Sequence, residues 1–139
     1  MKKIYEFSIT LNSRCRSEMI PISQEIERNL ALFGEVSGIL YLFVAHTTAG
    51  ITVNEGADAD VVKDILNFLD RSIPWKANYA HREGNSAAHI KASFMGSSLN
   101  LFVNKGKLQL GTWQEVFFCE FDGPRNHRKV WCRFFPHEE

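Results

Sequence analysis

The stretch Ile39-Leu40-Tyr41-Leu42-Phe43-Val44-Ala45 is the longest uninterrupted apolar run in the 139-residue chain, and it does most to limit what the chain can become. Seven residues fall far short of the roughly 20 that a helix needs to cross a bilayer, so no membrane span is expected. The run is also shorter than an average helix and rich in aromatic and β-branched side chains, which predicts a strand buried on both faces. At the amino end, Met1-Lys2-Lys3 is basic but leads straight into an alternating segment and not into an apolar signal core, so no export signal is read there.

That alternating segment, Tyr5 to Leu11, places Tyr5, Phe7, Ile9 and Leu11 on one side and predicts a half-buried strand. After Pro21, residues Ile22, Ile26, Leu30 and Phe33 recur at helical spacing, with Ser23 placed to cap and Gly34 to terminate. A short strand over Gly50 to Asn54 and a helix from an Asp58 cap to about Arg71 follow, then an irregular stretch from Trp75 to Ser86 and a short helix over Ala87 to Met95. The last third reads as strands: Leu99 to Val103, a turn at Asn104-Lys105-Gly106-Lys107, Leu108 to Phe121, a reversal at Asp122-Gly123-Pro124-Arg125, and Val130 to Phe135. Helices early and strands late predict an α+β fold with a largely antiparallel or mixed sheet, in one domain spanning residues 1–139.

Charge narrows the partners. Sixteen Lys and Arg balance sixteen Asp and Glu, so no global field favours nucleic acid or an anionic membrane. Three cysteines, without a C-x-x-C pair, fit neither a disulfide framework nor a zinc ribbon and point to the cytoplasm. No G-x-G-x-x-G or Walker-type phosphate loop occurs.

The chemistry must therefore come from polar residues that interrupt apolar strands, because a buried polar group without a partner costs about 1–3 kcal/mol. His46-Thr47-Thr48 ends the apolar run, and Glu55 lies at a strand-to-helix junction beside Asp58 and Asp60, which have capping and dipole roles open to them. His81 and His89 flank a Gly84-Asn85-Ser86 break. On a continuous helix they would stand about 12 Å apart, so only a bend at Gly84-Asn85 lets them meet. Gly111 interrupts a strand, which reads as a bulge or a close approach. Glu120 is a carboxylate inside an apolar strand and needs a partner. Arg125 is a candidate for that partner, or for a bidentate phosphate ligand.

Taken together, H-T-T-A-G at His46, Asn54-Glu55, Asp58-x-Asp60, H-R-E-G-N-S-A-A-H from His81 to His89, Gly96-Ser97-Ser98, Leu110-Gly111-Thr112-Trp113-Gln114 and E-F-D-G-P-R from Glu120 closely resemble the YjbQ family, also called the secondary thiamine-phosphate synthase family. The motifs are collinear over nearly the whole chain. The resemblance implies a YjbQ-like fold, a β-sandwich with two to three helices, assembled as a homotrimer with a histidine- and acid-rich pocket near the subunit interface. It also implies a metal-dependent thiamine-phosphate synthase-like transferase, joining a pyrimidine methyl diphosphate to a thiazole phosphate and releasing pyrophosphate. Within these motifs His46, His81 and His89 are the expected ligands of a divalent ion, zinc or magnesium, with a fourth position left open. Glu55, Glu120 and Arg125 are the expected catalytic residues. Thr47, Thr48, Asn85, Lys91, Ser97, Ser98, Thr112 and Arg125 are the expected contacts to a phosphorylated substrate. Glu115 departs from the family pattern and is read as an added carboxylate beside the pocket. A trimeric binding protein without turnover, or a metal-dependent hydrolase with Glu55 or Glu120 as general base, are the alternatives.

Overall fold

A computed structural model of the protein describes residues 3–137. In chain order the elements are β1 (Tyr5–Leu11), β2 (Glu18–Pro21), α1 (Ser23–Ala31), β3 (Gly38–Val44), β4 (Ala49–Glu55), α2 (Ala59–Ser72), α3 (Ser86–Met95), β5 (Ser98–Asn104), β6 (Lys107–Leu108), β7 (Gln114–Glu120) and β8 (Arg128–Pro136). The α+β class is as expected.

The strands form two antiparallel sheets, one ordered β1-β8-β3-β5-β6 and the other β2-β7-β4. Between them Ile9, Leu40, Leu42, Val44, Val130, Cys132 and Phe134 of the first sheet meet Ile51, Val116 and Phe118 of the second, and Ile22 just before α1 with Ile26 and Leu30 of that helix complete this core. Because side chains alternate along a strand, Phe117 and Cys119 of β7 point the other way, where they pack with Ala88 and Ala92 of α3 and, beyond them, Val62, Ile65 and Leu69 of α2. The layers are sheet, sheet, helices. Gly50 makes the last contact possible: a Cβ there would stand 2.7 Å from the Gly96 carbonyl oxygen.

Four expectations need correction. The apolar run that becomes β3 is buried on one face only; Ile39, Tyr41 and Phe43 are exposed on the other, beside Phe102, Trp131 and Phe135. Continuous apolarity did not mean two covered faces within this chain. The expected strand from Leu108 to Phe121 is two strands in different sheets, β6 and β7, separated by a turn in which the Gln114 side chain accepts a hydrogen bond from Gly111 N–H (2.8 Å). β2 was not expected at all. Ser23 does not cap α1 by its hydroxyl, which accepts from Val116 N–H (2.9 Å); Ser23 N–H instead donates to Glu115 Oε2 (3.1 Å). Glu115 thus serves a helix start and is not a pocket carboxylate.

Candidate functional site

A depression of about 760 Å³ opens where the C-terminal end of β3, the start of β4, the start of α3 and the turn after β7 converge. It is lined by His46, Thr47 and Thr48, by Glu83, Asn85 and His89, by Ser97, and by Asp122, Arg125 and Arg128. These residues come from four separate motifs, and the sandwich brings them together because β3 and β7 end, and β4 begins, on the same side.

Beneath this opening lies a sealed ion pair. Glu120 is fully buried, accepting from Arg128 Nε (2.9 Å to Oε1) and Arg128 Nη2 (2.5 Å to Oε2), from the Ser13 hydroxyl (2.6 Å), and from the Phe121 and Asp122 N–H groups (3.1 and 3.0 Å). Burial alone would push this carboxyl up, but the hydrogen bonds from Arg128, Ser13 and Asp122 and the Arg128 charge outweigh it and hold Glu120 below the ordinary carboxylate range. The same Arg128 Nη2 donates to Thr48 Oγ1 (2.8 Å). Arg128 is therefore the partner of Glu120, and Arg125 is not. Its burial was readable from parity, since Arg128 shares the inward side of β8 with Val130, Cys132 and Phe134. Saturated by five donors, Glu120 is a structural anion and not the general base expected from the sequence.

Arg125 stands half-exposed. Its Nε donates to the Asp122 carbonyl (3.0 Å) and its Nη2 to Asp122 Oδ2 (2.9 Å), which fixes the guanidinium while leaving its other N–H groups to the pocket. Asp122 Oδ2 also accepts from Asn85 Nδ2 (2.9 Å), and Asn85 Oδ1 is buried without a partner among the described residues. Asn85, the residue before α3, lines the pocket without capping that helix by its side chain, while its carbonyl accepts from the Ala88 and His89 N–H groups (3.0 and 3.4 Å).

The histidines divide. Gly84 adopts φ +81°, a left-handed turn that bends the chain and brings His81 and His89 together, with ring centroids 5.4 Å apart and planes perpendicular. His46 follows the end of β3, where its Nε2 accepts a hydrogen bond from the Lys129 N–H (2.8 Å). That N–H lies just beyond the last β3–β8 pair, Val44 with Val130, so His46 supplies the acceptor that a strand would otherwise provide. Burial, with help from Arg128 and Arg125 and against the pull of Glu120, holds His46 below the ordinary imidazole range. Among the described residues no three His, Cys, Asp or Glu side chains converge to hold a metal ion, so the expected His46-His81-His89 triad does not assemble. His81 and His89 by themselves have the separation that two imidazoles sharing one ion would show, roughly 5 Å for tetrahedral Zn–N bonds near 2 Å.

Other expected contacts lie elsewhere. Glu55 is at the far end of β4, about 20 Å from Thr48 at strand rise, and accepts from the Ala57 and Asp58 N–H groups (2.7 and 3.4 Å) in a loop that leads into α2. Thr112 is exposed in the turn at that same far end. Lys91, 2% exposed, pairs with Asp70 of α2 at 2.5 Å on the opposite side of α3 from His89. Ser97 lines the pocket, while Ser98 starts β5 on the outer sheet face with Tyr41 and Trp131. Asp122, Glu83 and Arg128 are pocket residues that sequence reading did not assign to the site. Cys119 and Cys132 are buried thiols pushed up to about 12, far from nucleophilic use.

A two-sheet α+β sandwich with helices on its smaller sheet, and a His-Asn-Arg pocket at one end, defines the class of protein. Comparison then gives the family: residues 7–137 match the model of the UPF0047 protein YjbQ-like family, and the chain belongs to it. UPF0047 protein YugU of Bacillus subtilis (strain 168) is 48% identical over 119 residues, 85% of this chain and 90% of that protein. A crystal structure of an uncharacterized conserved protein of the YjbQ/UPF0047 family from Clostridium acetobutylicum superposes with TM-score 0.86 at 46% identity, covering 94% of this chain and 99% of that one. A YbjQ-like protein of unknown function from Sulfolobus solfataricus P2 gives TM-score 0.91 at 31% identity, covering 99% and 100%. These relatives carry no enzymatic name. Among the described residues, no helix is long and apolar enough to cross a membrane.

Proposed function

We propose that the pocket binds a phosphorylated small molecule, and that the protein is a metal-dependent transferase of the thiamine-phosphate synthase kind, condensing a pyrimidine methyl diphosphate with a thiazole phosphate and releasing pyrophosphate. The observation that carries this reading is Arg125: aimed by its two bonds to Asp122, it presents free N–H donors to a pocket that Asn85 and His46 also line. A guanidinium with free N–H donors is suited to bidentate contact with phosphate oxygens. Ser97 and Thr47 add hydroxyls to the same wall, and the volume suits a small metabolite. In such a displacement, charge develops on the departing diphosphate, and fixed cationic donors lower the barrier by meeting it there.

His81 and His89 are the residues that would hold a divalent ion, with Glu83 Oε2 already 3.8 Å from His81 Nε2. When bound, the ion would supply further neutralisation of diphosphate charge. The exposed aromatic sheet face, with Trp131, Tyr41, Phe43 and Phe102, supports the homotrimer, since apolar patches of this kind mark interfaces. Phe43 borders the pocket as well as the face, so neighbouring copies would stand beside the site.

The test is pyrophosphate release from the two substrates with zinc or magnesium added, by wild type and Arg125→Ala. Release by the wild type that falls at least tenfold in the variant is expected for an Arg–phosphate contact of about 1.5–3 kcal/mol. Saturable binding without release would instead favour a sequestering protein, and release of inorganic phosphate a hydrolase. The hydrolase reading has lost both bases assigned to it, because Glu120 is sealed and Glu55 is remote.

A further inference from the structure

We infer that His46 is held as the neutral Nδ1–H tautomer and acts as a hydrogen-bond donor to an anionic oxygen of the bound molecule, not as a metal ligand. The inference rests on the phosphate-binding reading of the pocket and assigns that ligand a further contact.

The Lys129 N–H is a donor that cannot change sign, and it meets His46 Nε2 at 2.8 Å. Nε2 must therefore offer its lone pair. A neutral imidazole has one donor and one acceptor nitrogen, so the proton resides on Nδ1. An imidazolium would point a second N–H at the Lys129 N–H, donor against donor. Metal ligation through Nδ1 is excluded for the same reason: it would need the Nδ1 lone pair, and the displaced proton could go only to Nε2. Burial and the nearby guanidiniums act in the same direction by disfavouring the charged ring.

Nδ1 makes no hydrogen bond among the described residues, and His46 lines the pocket with Ser97, Arg125 and Thr47. A fixed N–H on that wall accepts no cation and no donor. It selects an acceptor, and the cationic surroundings make an anionic one the best fit. The site is thereby divided by chemistry: His46 and Arg125 offer donors to an anion, and the His81–His89 pair is where a cation can reside.

Two measurements test this. In the wild-type chain with ¹⁵N-labelled histidine at neutral pH, two-bond ¹H–¹⁵N correlation should show His46 with a protonated Nδ1 and a bare Nε2. Zinc should perturb His81 and His89 but leave the His46 pattern in place, whereas pyrophosphate should shift His46 Nδ1. A protonated Nε2, or zinc bound at His46, overturns the inference. The second measurement is calorimetric titration of pyrophosphate. His46→Gln keeps an acceptor for Lys129 but loses the Nδ1 donor, and should bind roughly tenfold more weakly, the worth of one hydrogen bond to a charged group. His46→Asn keeps a donor at the Nδ1 position and should stay within about threefold of wild type while losing some stability through the orphaned Lys129 N–H. Equal affinity in His46→Gln, or equal losses in both variants, contradicts the donor role. If wild type does not bind pyrophosphate at all, the phosphate reading of the pocket and the donor role both fall, while the tautomer is still judged by the resonance measurement, which needs neither variant to fold.

Discussion

Glu120 and Arg128 are joined by two hydrogen bonds, at 2.9 and 2.5 Å, in the floor of the pocket, with Glu120 fully buried and Arg128 6% exposed. Because each ion is the main compensation for the other's desolvation, removing one strands its partner. Arg128→Ala and Glu120→Ala are each expected to destabilise the fold by about 3–5 kcal/mol, read as a large fall in Tm. A change of under about 1 kcal/mol in either would contradict the pairing.

The same pair sets a pH dependence. Glu120 is held below its ordinary range when folded, so the folded chain keeps it ionised where the unfolded chain begins to protonate it. Its contribution is fully present above the unfolded value of about 4.3 and is lost as pH falls from there through the lower folded value. Denaturant midpoints of wild type should drop steeply across that acid window. In Glu120→Gln the drop should be shallower; an identical slope would show that Glu120 does not titrate with unfolding.

Lys91 separates a packing role from a binding one. Its ammonium is buried against Asp70, which is itself 57% exposed, so Asp70→Ala should cost about 1–3 kcal/mol by leaving a buried charge with less compensation. Lys91→Met should leave pyrophosphate affinity unchanged. A loss of affinity in that variant would return Lys91 to the binding residues.

The placement of Lys91 away from the pocket was legible in the sequence. Residues two apart on a helix point about 200° apart, so Lys91 could not share a face with His89, whereas the division of Ser97 from Ser98 depends on β5 beginning at Ser98. Parity also marked Arg128 as buried. Other features were not legible. Whether β3 is covered on both faces depends on what lies against Tyr41 and Phe43, which apolarity alone does not say. β2 is too short to show a period, and the passage of the chain from β6 in one sheet to β7 in the other has no local signature beyond Gly111. The meeting of His81 with His89 required the left-handed turn at Gly84, whereas the acceptor role of His46 depends on where the β3–β8 ladder ends.

The exposed aromatic face gives a prediction about assembly. Trp131 and Phe43 pack at 5.9 Å between ring centroids on that face while 54% and 44% exposed. Light scattering at micromolar concentration should return a trimer mass for wild type and a monomer mass for the Phe43→Glu, Trp131→Glu double variant. A monomeric wild type would refute the assembly.

Metal content distinguishes the histidines. Elemental analysis after zinc loading should find the ion lost in His81→Ala and in His89→Ala and retained in His46→Gln. Retention in the first two would place the ion elsewhere.

Calorimetric titration of pyrophosphate into wild type and Arg125→Ala, paired with melting curves, shows whether this pocket holds phosphate through Arg125. The Arg125 side chain is half-exposed and, among the described residues, bonds only Asp122, while its backbone bonds to Ser13 survive in Ala, so the variant should melt within a few degrees of wild type. Saturable one-to-one binding by wild type, weakened at least tenfold in the variant, is the predicted result. Absence of saturable binding, or equal affinity with a large loss of stability, would contradict the account.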